Sequence, residues 1–119
     1  MHELSIARGI VRIADDAARD GGADRVASVR VAVGALAGVV RPALEFAFPF
    51  AAEPCPRVAS ARLEIEDVPL RLRCEPCRAI VEPDVTTSFR CPRCGTPSGT
   101  LVSGREIEVR RVTFGAVPA

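Results

Sequence analysis

Four cysteines in two Cys-x-x-Cys turns are the strongest chemical signal in this sequence. Cys74 and Cys77 form the first turn, Cys91 and Cys94 form the second, and residues 78–90 lie between them. Each turn places two sulfurs close together, and two such turns facing each other complete the four-sulfur site that zinc most often occupies. An iron ion would use the same four ligands. Zinc with four protein ligands has no redox chemistry and no open position for a substrate, so we expect a structural metal here.

The other chemically distinctive segment is the N-terminal tripeptide Met1-His2-Glu3, which carries the chain's single histidine. Its α-amine, imidazole and backbone amide nitrogens can form small fused chelate rings around one metal ion. An all-nitrogen tetragonal ligand set suits Ni(II) or Cu(II) far better than Mg(II) or Ca(II). Binding must displace protons from the amine and the imidazole, so the affinity should fall as the pH drops through their range. Taken alone, a histidine beside a terminus is more often a side chain without a role.

Composition argues against several classes of function. The chain has 119 residues, enough for one domain or one domain with a small appendage, and fifteen acidic residues nearly balance sixteen arginines. A net charge of +1 gives no general attraction to nucleic acid or to an anionic membrane. No apolar run approaches the roughly twenty residues of a membrane span, and no signal peptide is visible, so we expect a cytoplasmic protein. In that compartment four paired cysteines indicate a metal site rather than disulfides.

The hydrophobic pattern predicts helices and strands on both sides of the cysteine segment. Residues 4–20 have apolar side chains at helical spacing, including Ile6, Ile10 and Ile13. Arg41-Pro42 opens a second helix, which Pro49 should end or distort. Alternating apolar residues predict three strands, at Val29 to Val33, Leu63 to Ile65 and Ile107 to Val109.

This order of elements predicts an α+β fold, in which two helices pack on a three-stranded sheet and a zinc-ribbon-like module is inserted. The expected division is an α+β domain over residues 1–70 plus 105–119, which carries the N-terminal metal site, and a zinc-binding module over residues 71–104. Metal-bound turns can fold with almost no apolar core of their own, which suits an insertion of this size.

Two other classes of function compete with a metal-handling protein. A zinc-ribbon module that binds nucleic acid or another protein is the main alternative, and it predicts a basic face and salt-sensitive binding. Four arginines near the cysteines favour it: Arg71, Arg73, Arg90 and Arg93. An enzyme is less favoured, since the sequence has no Ser/His/Asp set, no phosphate loop and no second histidine. Cys55, the fifth cysteine, lies between two prolines, and a single cysteine of this kind most often has no role.

The chain as a whole resembles the hydrogenase maturation nickel chaperones of the HypA/HybF family. The resemblance lies in Met1-His2-Glu3-Leu4-Ser5, Val33-Gly34-Ala35-Leu36, Ala43-Leu44-Glu45-Phe46 and the four cysteines. It covers essentially the whole chain, and the order of these motifs matches the predicted elements. One departure is Val39-Val40-Arg41, since some relatives carry an acidic residue that can approach the metal in this loop.

The resemblance implies a nickel metallochaperone rather than an enzyme. By it, Met1, His2 and Glu3 bind the transported Ni(II), with the Glu3 amide a better donor than its carboxylate, while the four cysteines hold a structural Zn(II). The implied partners are a GTP-hydrolysing protein and the large subunit of NiFe hydrogenase, and some family members also serve urease. Neither a nucleic acid nor a membrane is an implied partner, and a homodimer stays open.

Overall fold

The computed structural model describes residues 2–83 and 89–115. Within them the elements follow in the order α1 (Glu3–Asp20), β1 (Val26–Gly34), α2 (Arg41–Ala52), β2 (Arg62–Val68), β3 (Arg71–Cys74), β4 (Ala79–Val81), β5 (Leu101–Ser103) and β6 (Ile107–Phe114). The strands form two three-stranded sheets, in the orders β2-β1-β6 and β4-β3-β5. The predicted α+β class is confirmed, with its two helices and its three-stranded sheet. The second sheet was not predicted.

Helix α1 is amphipathic, and its buried face has apolar residues every three or four positions. These residues are Ala7, Ile10, Val11, Ala14 and Ala18. The prediction that Ile13 belongs to this face is wrong, because its side chain is exposed. Ile13 precedes the fully buried Ala14 by one residue, and one residue turns an α-helix by about 100°.

Helix α2 contacts α1, and its buried side chains, Leu44, Phe48 and Ala52, are spaced four residues apart. Pro49 does not end the helix, contrary to the sequence-based expectation. Proline has no N–H to donate to the carbonyl four residues earlier, but the carbonyl of Pro49 still accepts the N–H of Glu53 at 3.0 Å, so the helical pattern resumes directly.

Strand β1 is the central strand of the first sheet and is almost entirely buried. Its outer neighbour β6 is mostly exposed, and Ile107, predicted on a half-buried face, is exposed as well. An edge strand has a neighbour on one side only, which accounts for this difference. Across the sheet, Arg30 pairs with Glu66 at 3.1 Å, and Glu66 also lies 4.0 Å from Arg110.

The second sheet lies within residues 71–103, which include all four paired cysteines. Leu72 of β3 pairs with Val81 of β4 and with Leu101 of β5. The two flanking strands are antiparallel to β3, and the register shifts between Arg71 and Leu72. Strands of three or four residues carry too little periodic pattern to be recognised in a sequence.

The chain divides into two compact units. One comprises the described residues of Met1–Val31, Val39–Glu66 and Glu108–Ala119, and the other comprises those of Ala32–Gly38 and Asp67–Ile107. In the second unit Gly34 meets Gly104 so closely that a Cβ on Gly34 would lie 2.2 Å from the Gly104 carbonyl. Neither helix among the described residues is long and apolar enough to cross a membrane.

Candidate metal sites

The sulfurs of Cys74, Cys77, Cys91 and Cys94 converge, all within 4.8 Å of one another. Sγ of Cys74 lies 3.6 Å from that of Cys94, and Sγ of Cys77 lies 3.9 Å from that of Cys91. A tetrahedral ion with metal–sulfur bonds of about 2.3 Å requires sulfur–sulfur distances of about 3.8 Å. The four thiols therefore have the separation that a zinc ion needs, and this geometry fits a zinc-ribbon-like module.

The apolar core of the second unit surrounds two of these sulfurs. Cys74 and Cys91 are buried in one cluster with Leu70, Leu72 and Val81. Cys77 is partly buried against this cluster, whereas Cys94 is exposed. Among the described residues, three besides the cysteines are buried in this cluster. A core this small cannot be expected to fold on apolar burial alone, which is the usual situation for a metal-stapled module.

The two Cys-x-x-Cys turns differ in how well their residues suit the backbone. After the second turn, Gly95 adopts φ +74° and its N–H donates to the Cys91 carbonyl at 2.8 Å. The Arg93 N–H points at Cys91 Sγ, with a nitrogen–sulfur distance of 3.4 Å. After the first turn, Arg78 adopts φ +50° and is the one non-glycine residue with positive φ in the described ranges. The position thus has the conformation that glycine favours.

Thr96 is a neighbour of the site that the sequence analysis missed. Its hydroxyl oxygen lies 3.2 Å from Cys94 Sγ. Hydrogen bonds from the Thr96 hydroxyl and amide favour the thiolate and lower the pKa of Cys94 to about 6. Hydrogen bonding to Cys94 and then to Cys74, together with burial, raises the pKa of Cys77 to about 12. The available signal was a threonine two residues after a cysteine, a spacing that permits a local side-chain hydrogen bond.

The N-terminal candidate site is described from His2 onward, and Met1 lies outside the described residues. His2 is the residue that caps α1; its side chain is exposed, and its carbonyl accepts the Ile6 N–H at 2.8 Å. Glu3 is the first residue of the helix. The first four N–H groups of an α-helix have no acceptor in the helix, so the Glu3 amide lies outside the helical hydrogen-bond ladder. An exposed imidazole and this amide nitrogen are thus adjacent in the chain.

The Glu3 carboxylate is turned away from solvent and has a specific partner. Glu3 is only 8% exposed, and its Oε2 accepts the backbone N–H of Val40 at 3.1 Å. This hydrogen bond, opposed in part by burial, lowers the pKa of the Glu3 carboxyl below its ordinary value. Val40 precedes the first residue of α2, so the contact joins the starts of the two helices. This partner could not be predicted from the sequence.

Three of the four arginines near the cysteines have acidic or carbonyl partners; they are Arg71, Arg73 and Arg90. Arg71 pairs with Glu82 at 3.4 Å, and Arg73 pairs with Glu75 at 3.2 Å. Arg90 donates to the Gly95 carbonyl at 3.2 Å. Because acidic groups or carbonyls engage three of the four side chains, the geometry does not favour the nucleic-acid alternative.

Comparisons with known proteins agree on one family. The family model of HypA, described as a metallochaperone for hydrogenase/urease nickel incorporation, matches residues 1–114. The hydrogenase maturation factor HypA of Chloroflexus aurantiacus is 52% identical over 109 residues, which are 92% of this chain and 95% of the relative. That of Roseiflexus sp. strain RS-1 is 48% identical over 115 residues, 96% and 92% of the two chains. The solution structure of the Ni metallochaperone HypA from Helicobacter pylori is similar in fold, with a TM-score of 0.70 and 22% identity over 98% and 99% of the chains.

Proposed function

Because the chain belongs to the HypA family of metallochaperones for nickel incorporation, we propose that it binds Ni(II) through Met1, His2 and Glu3. It then delivers the ion for the maturation of NiFe hydrogenase, with urease as a second recipient. The family consists of metallochaperones and maturation factors, so the expectation that the chain is not an enzyme is confirmed. The observation that supports this nickel site is that the exposed His2 precedes the first amide of α1, that of Glu3, which makes no hydrogen bond within the helix.

The proposed ligands are the α-amine, the His2 imidazole and the amide nitrogens of His2 and Glu3. A metal-bound amide nitrogen must lose its proton, and in the middle of a helix this loss would break a backbone hydrogen bond. At the start of α1 it breaks none of the helical bonds. The free-energy cost of amide coordination is therefore lower at this position than elsewhere in the helix.

Charge balance supports the same ligand set. The start of a helix carries a partial positive charge, which disfavours a bare cation. Two deprotonated amides carry two negative charges and neutralise the Ni(II) that they bind. Neutralisation requires the loss of protons, so the nickel affinity rises with pH and falls as the imidazole and the amine become protonated.

We assign a structural Zn(II) to Cys74, Cys77, Cys91 and Cys94, on the basis of their sulfur–sulfur distances. Bound zinc would supply a fixed tetrahedral junction between the two turns, and its closed ligand set takes no part in nickel transfer. In functional terms, residues 1–70 plus 105–119 form the nickel-binding domain, and residues 71–104 form the zinc-binding module.

The proposed partners follow from delivery of a metal ion. They are a GTP-hydrolysing insertion protein and the large subunit of NiFe hydrogenase, both met in the cytoplasm. Neither a nucleic acid nor a membrane is a partner in this proposal, and a homodimer is compatible with it. A terminal and exposed site suits transfer, because its ligands can leave the ion one at a time.

The proposal is tested by titrating Ni(II) into the untagged protein and into a His2→Ala variant. We expect the variant to lose at least about tenfold in affinity, because the imidazole is one of the proposed donors. A version with residues added before Met1 is the second control, since it removes the free α-amine and should bind nickel as weakly. Equal affinity in the native protein and in His2→Ala would refute the proposed site.

A further inference from the structure

The side chain of Glu3 is the one buried charged side chain among residues 2–83 and 89–115. Removing a carboxylate from water is costly unless hydrogen bonds compensate. Here the compensation comes from a backbone N–H that lies 37 residues away in sequence, at Val40. The group is therefore held in place by a specific contact rather than left at the surface, as most glutamates are.

We infer that the Glu3 carboxylate is a positioning group that latches the N-terminal metal-binding residues to the start of α2. The inference rests on the proposed nickel site, which it deepens. It assigns the Glu3 side chain a role distinct from that of its backbone amide. The carboxylate does not coordinate nickel; it fixes the residue whose amide does.

The latch acts on the part of the helix that is most prone to disorder. The first turn of a helix frays easily, and chain termini are poorly ordered unless they are tied down. His2 and the Glu3 amide belong to this first turn. The contact with Val40 ties it to the N-terminal end of α2, a helix that contacts α1 and whose Leu44 and Phe48 side chains are buried. Without the latch, nickel binding must also order the frayed residues.

The geometry of the contact defines which substitutions preserve it. The acceptor is a single oxygen, Oε2, at 3.1 Å from the Val40 nitrogen. A glutamine has a carbonyl oxygen at the same distance from the backbone and can accept the same N–H without a charge. An aspartate is shorter by one methylene group and cannot reach it from the same backbone position, and an alanine has no acceptor.

The test compares the nickel affinities of Glu3→Gln, Glu3→Asp and Glu3→Ala with that of the native protein, all untagged and zinc-loaded. Ordering one residue costs an amount equivalent to roughly tenfold in affinity, so Glu3→Ala and Glu3→Asp should bind about tenfold more weakly. Glu3→Gln should remain within about threefold of the native protein. Hydrogen exchange of the Val40 amide, measured without nickel, should quicken in Glu3→Ala and stay slow in Glu3→Gln.

Each outcome bears on the latch separately from the nickel site. If Glu3→Gln loses as much nickel affinity as Glu3→Ala while its Val40 amide stays protected, the carboxylate acts as a ligand and the latch is overturned. If Glu3→Ala retains both its affinity and its Val40 protection, the contact positions nothing, and the latch is again overturned. If His2→Ala loses nickel affinity alongside either result, the proposed nickel site stands. If His2→Ala binds nickel as tightly as the native protein, that site is refuted.

Discussion

At the scale of single residues, Gly95 and Arg78 occupy equivalent places after the two cysteine turns, with the same sign of φ. A left-handed conformation costs a side-chain-bearing residue about 1–2 kcal/mol relative to glycine. A Cβ on Gly95 would meet no atom within 4 Å, so only the backbone conformation opposes a substitution there. We therefore expect Gly95→Ala to lower the free energy of unfolding by about 1–2 kcal/mol.

Arg78→Gly is the reciprocal change and should act in the opposite direction. It relieves the left-handed conformation but adds freedom to the unfolded chain, so we expect a net gain of about 0.5–1 kcal/mol. Both variants are measured by urea unfolding at a fixed free zinc concentration, since bound metal adds to the apparent stability. If the Gly95→Ala variant is as stable as the native protein, the left-handed conformation at this position does not have the expected cost.

The thiol pKa values make a second residue-scale prediction, for the pH dependence of zinc binding. Near pH 8 Cys94 is already ionised, with its pKa of about 6, whereas Cys77, with its pKa of about 12, must give up a proton to bind zinc. The Cys77 amide lowers the pKa of Cys74, but burial and contacts with Cys94 and Cys91 together outweigh it, so this pKa is raised. Burial raises the pKa of Cys91, but the amides of Cys94 and Arg93 outweigh it, so this pKa is lowered. Zinc binding near pH 8 should therefore release about two to three protons rather than four.

The proton count is measured by calorimetric zinc titration in buffers of different ionisation enthalpy. Since binding releases protons, the zinc affinity should fall as the pH is lowered. It should fall more steeply below about pH 6, where Cys94 is protonated as well and must also give up its proton. Thr96→Val is the matched control, because it removes the hydroxyl that lowers the pKa of Cys94. It should increase the number of protons released. Release of four protons by the native protein would contradict the low pKa of Cys94.

At the scale of elements, helix α2 has a buried and an exposed phenylalanine two residues apart. Phe48 is 2% exposed, whereas Phe46 is 72% exposed and contacts Phe50 with a ring-centroid distance of 5.3 Å. Phe48→Ala should cost about 3–5 kcal/mol, because it removes buried apolar area and leaves a cavity. Phe46→Ala should cost less than about 1.5 kcal/mol, the upper value for an aromatic pair. Urea unfolding measures both, and equal losses would mean that the assignment of the two faces is wrong.

Helix α2 also marks the limit of what sequence could predict. Its start at Arg41-Pro42 was readable, because proline suits the first turn of a helix. Its continuation through Pro49 was not, because local propensity opposes it and only the packing of Phe48 and Ala52 on either side favours it. The exposure of Phe46 was equally unreadable, since a helix with apolar residues on several faces does not show which face is buried.

The two proposed metal sites also differ in how much of each could be predicted from the sequence. The cysteine cluster could be predicted because two Cys-x-x-Cys turns bring their own sulfurs together locally, whatever the rest of the fold does. His2 and Glu3 could be named because they are adjacent in the chain. The contact of Glu3 with Val40 could not, because it joins residues 37 positions apart and depends on how α1 packs on α2. Local chemistry is readable from sequence, whereas a contact between helices requires the tertiary structure.

At the scale of the whole molecule, the proposed nickel and zinc sites draw on different units. His2, Glu3 and Val40 belong to the first unit, and all four cysteines belong to the second. The second unit has a small apolar core in which two of the ligands are themselves buried, so zinc removal should unfold it locally. The core of the first unit contains Leu44 and Phe48 and no cysteine ligand, so it should remain folded.

Zinc removal with a chelator, followed by nickel titration after the chelator is washed out, tests this separation. Amide hydrogen exchange should quicken sharply at Leu72 and Val81 but little at Val31 or Leu44. Nickel affinity at the N-terminus should change by less than about fivefold, the lower end of typical couplings between sites. His2→Ala, stripped of zinc in the same way, is the control for nickel captured by the free thiols, which would otherwise imitate the N-terminal site. A larger loss of N-terminal affinity, restored when zinc is added back, would mean that zinc does more than hold its own unit together.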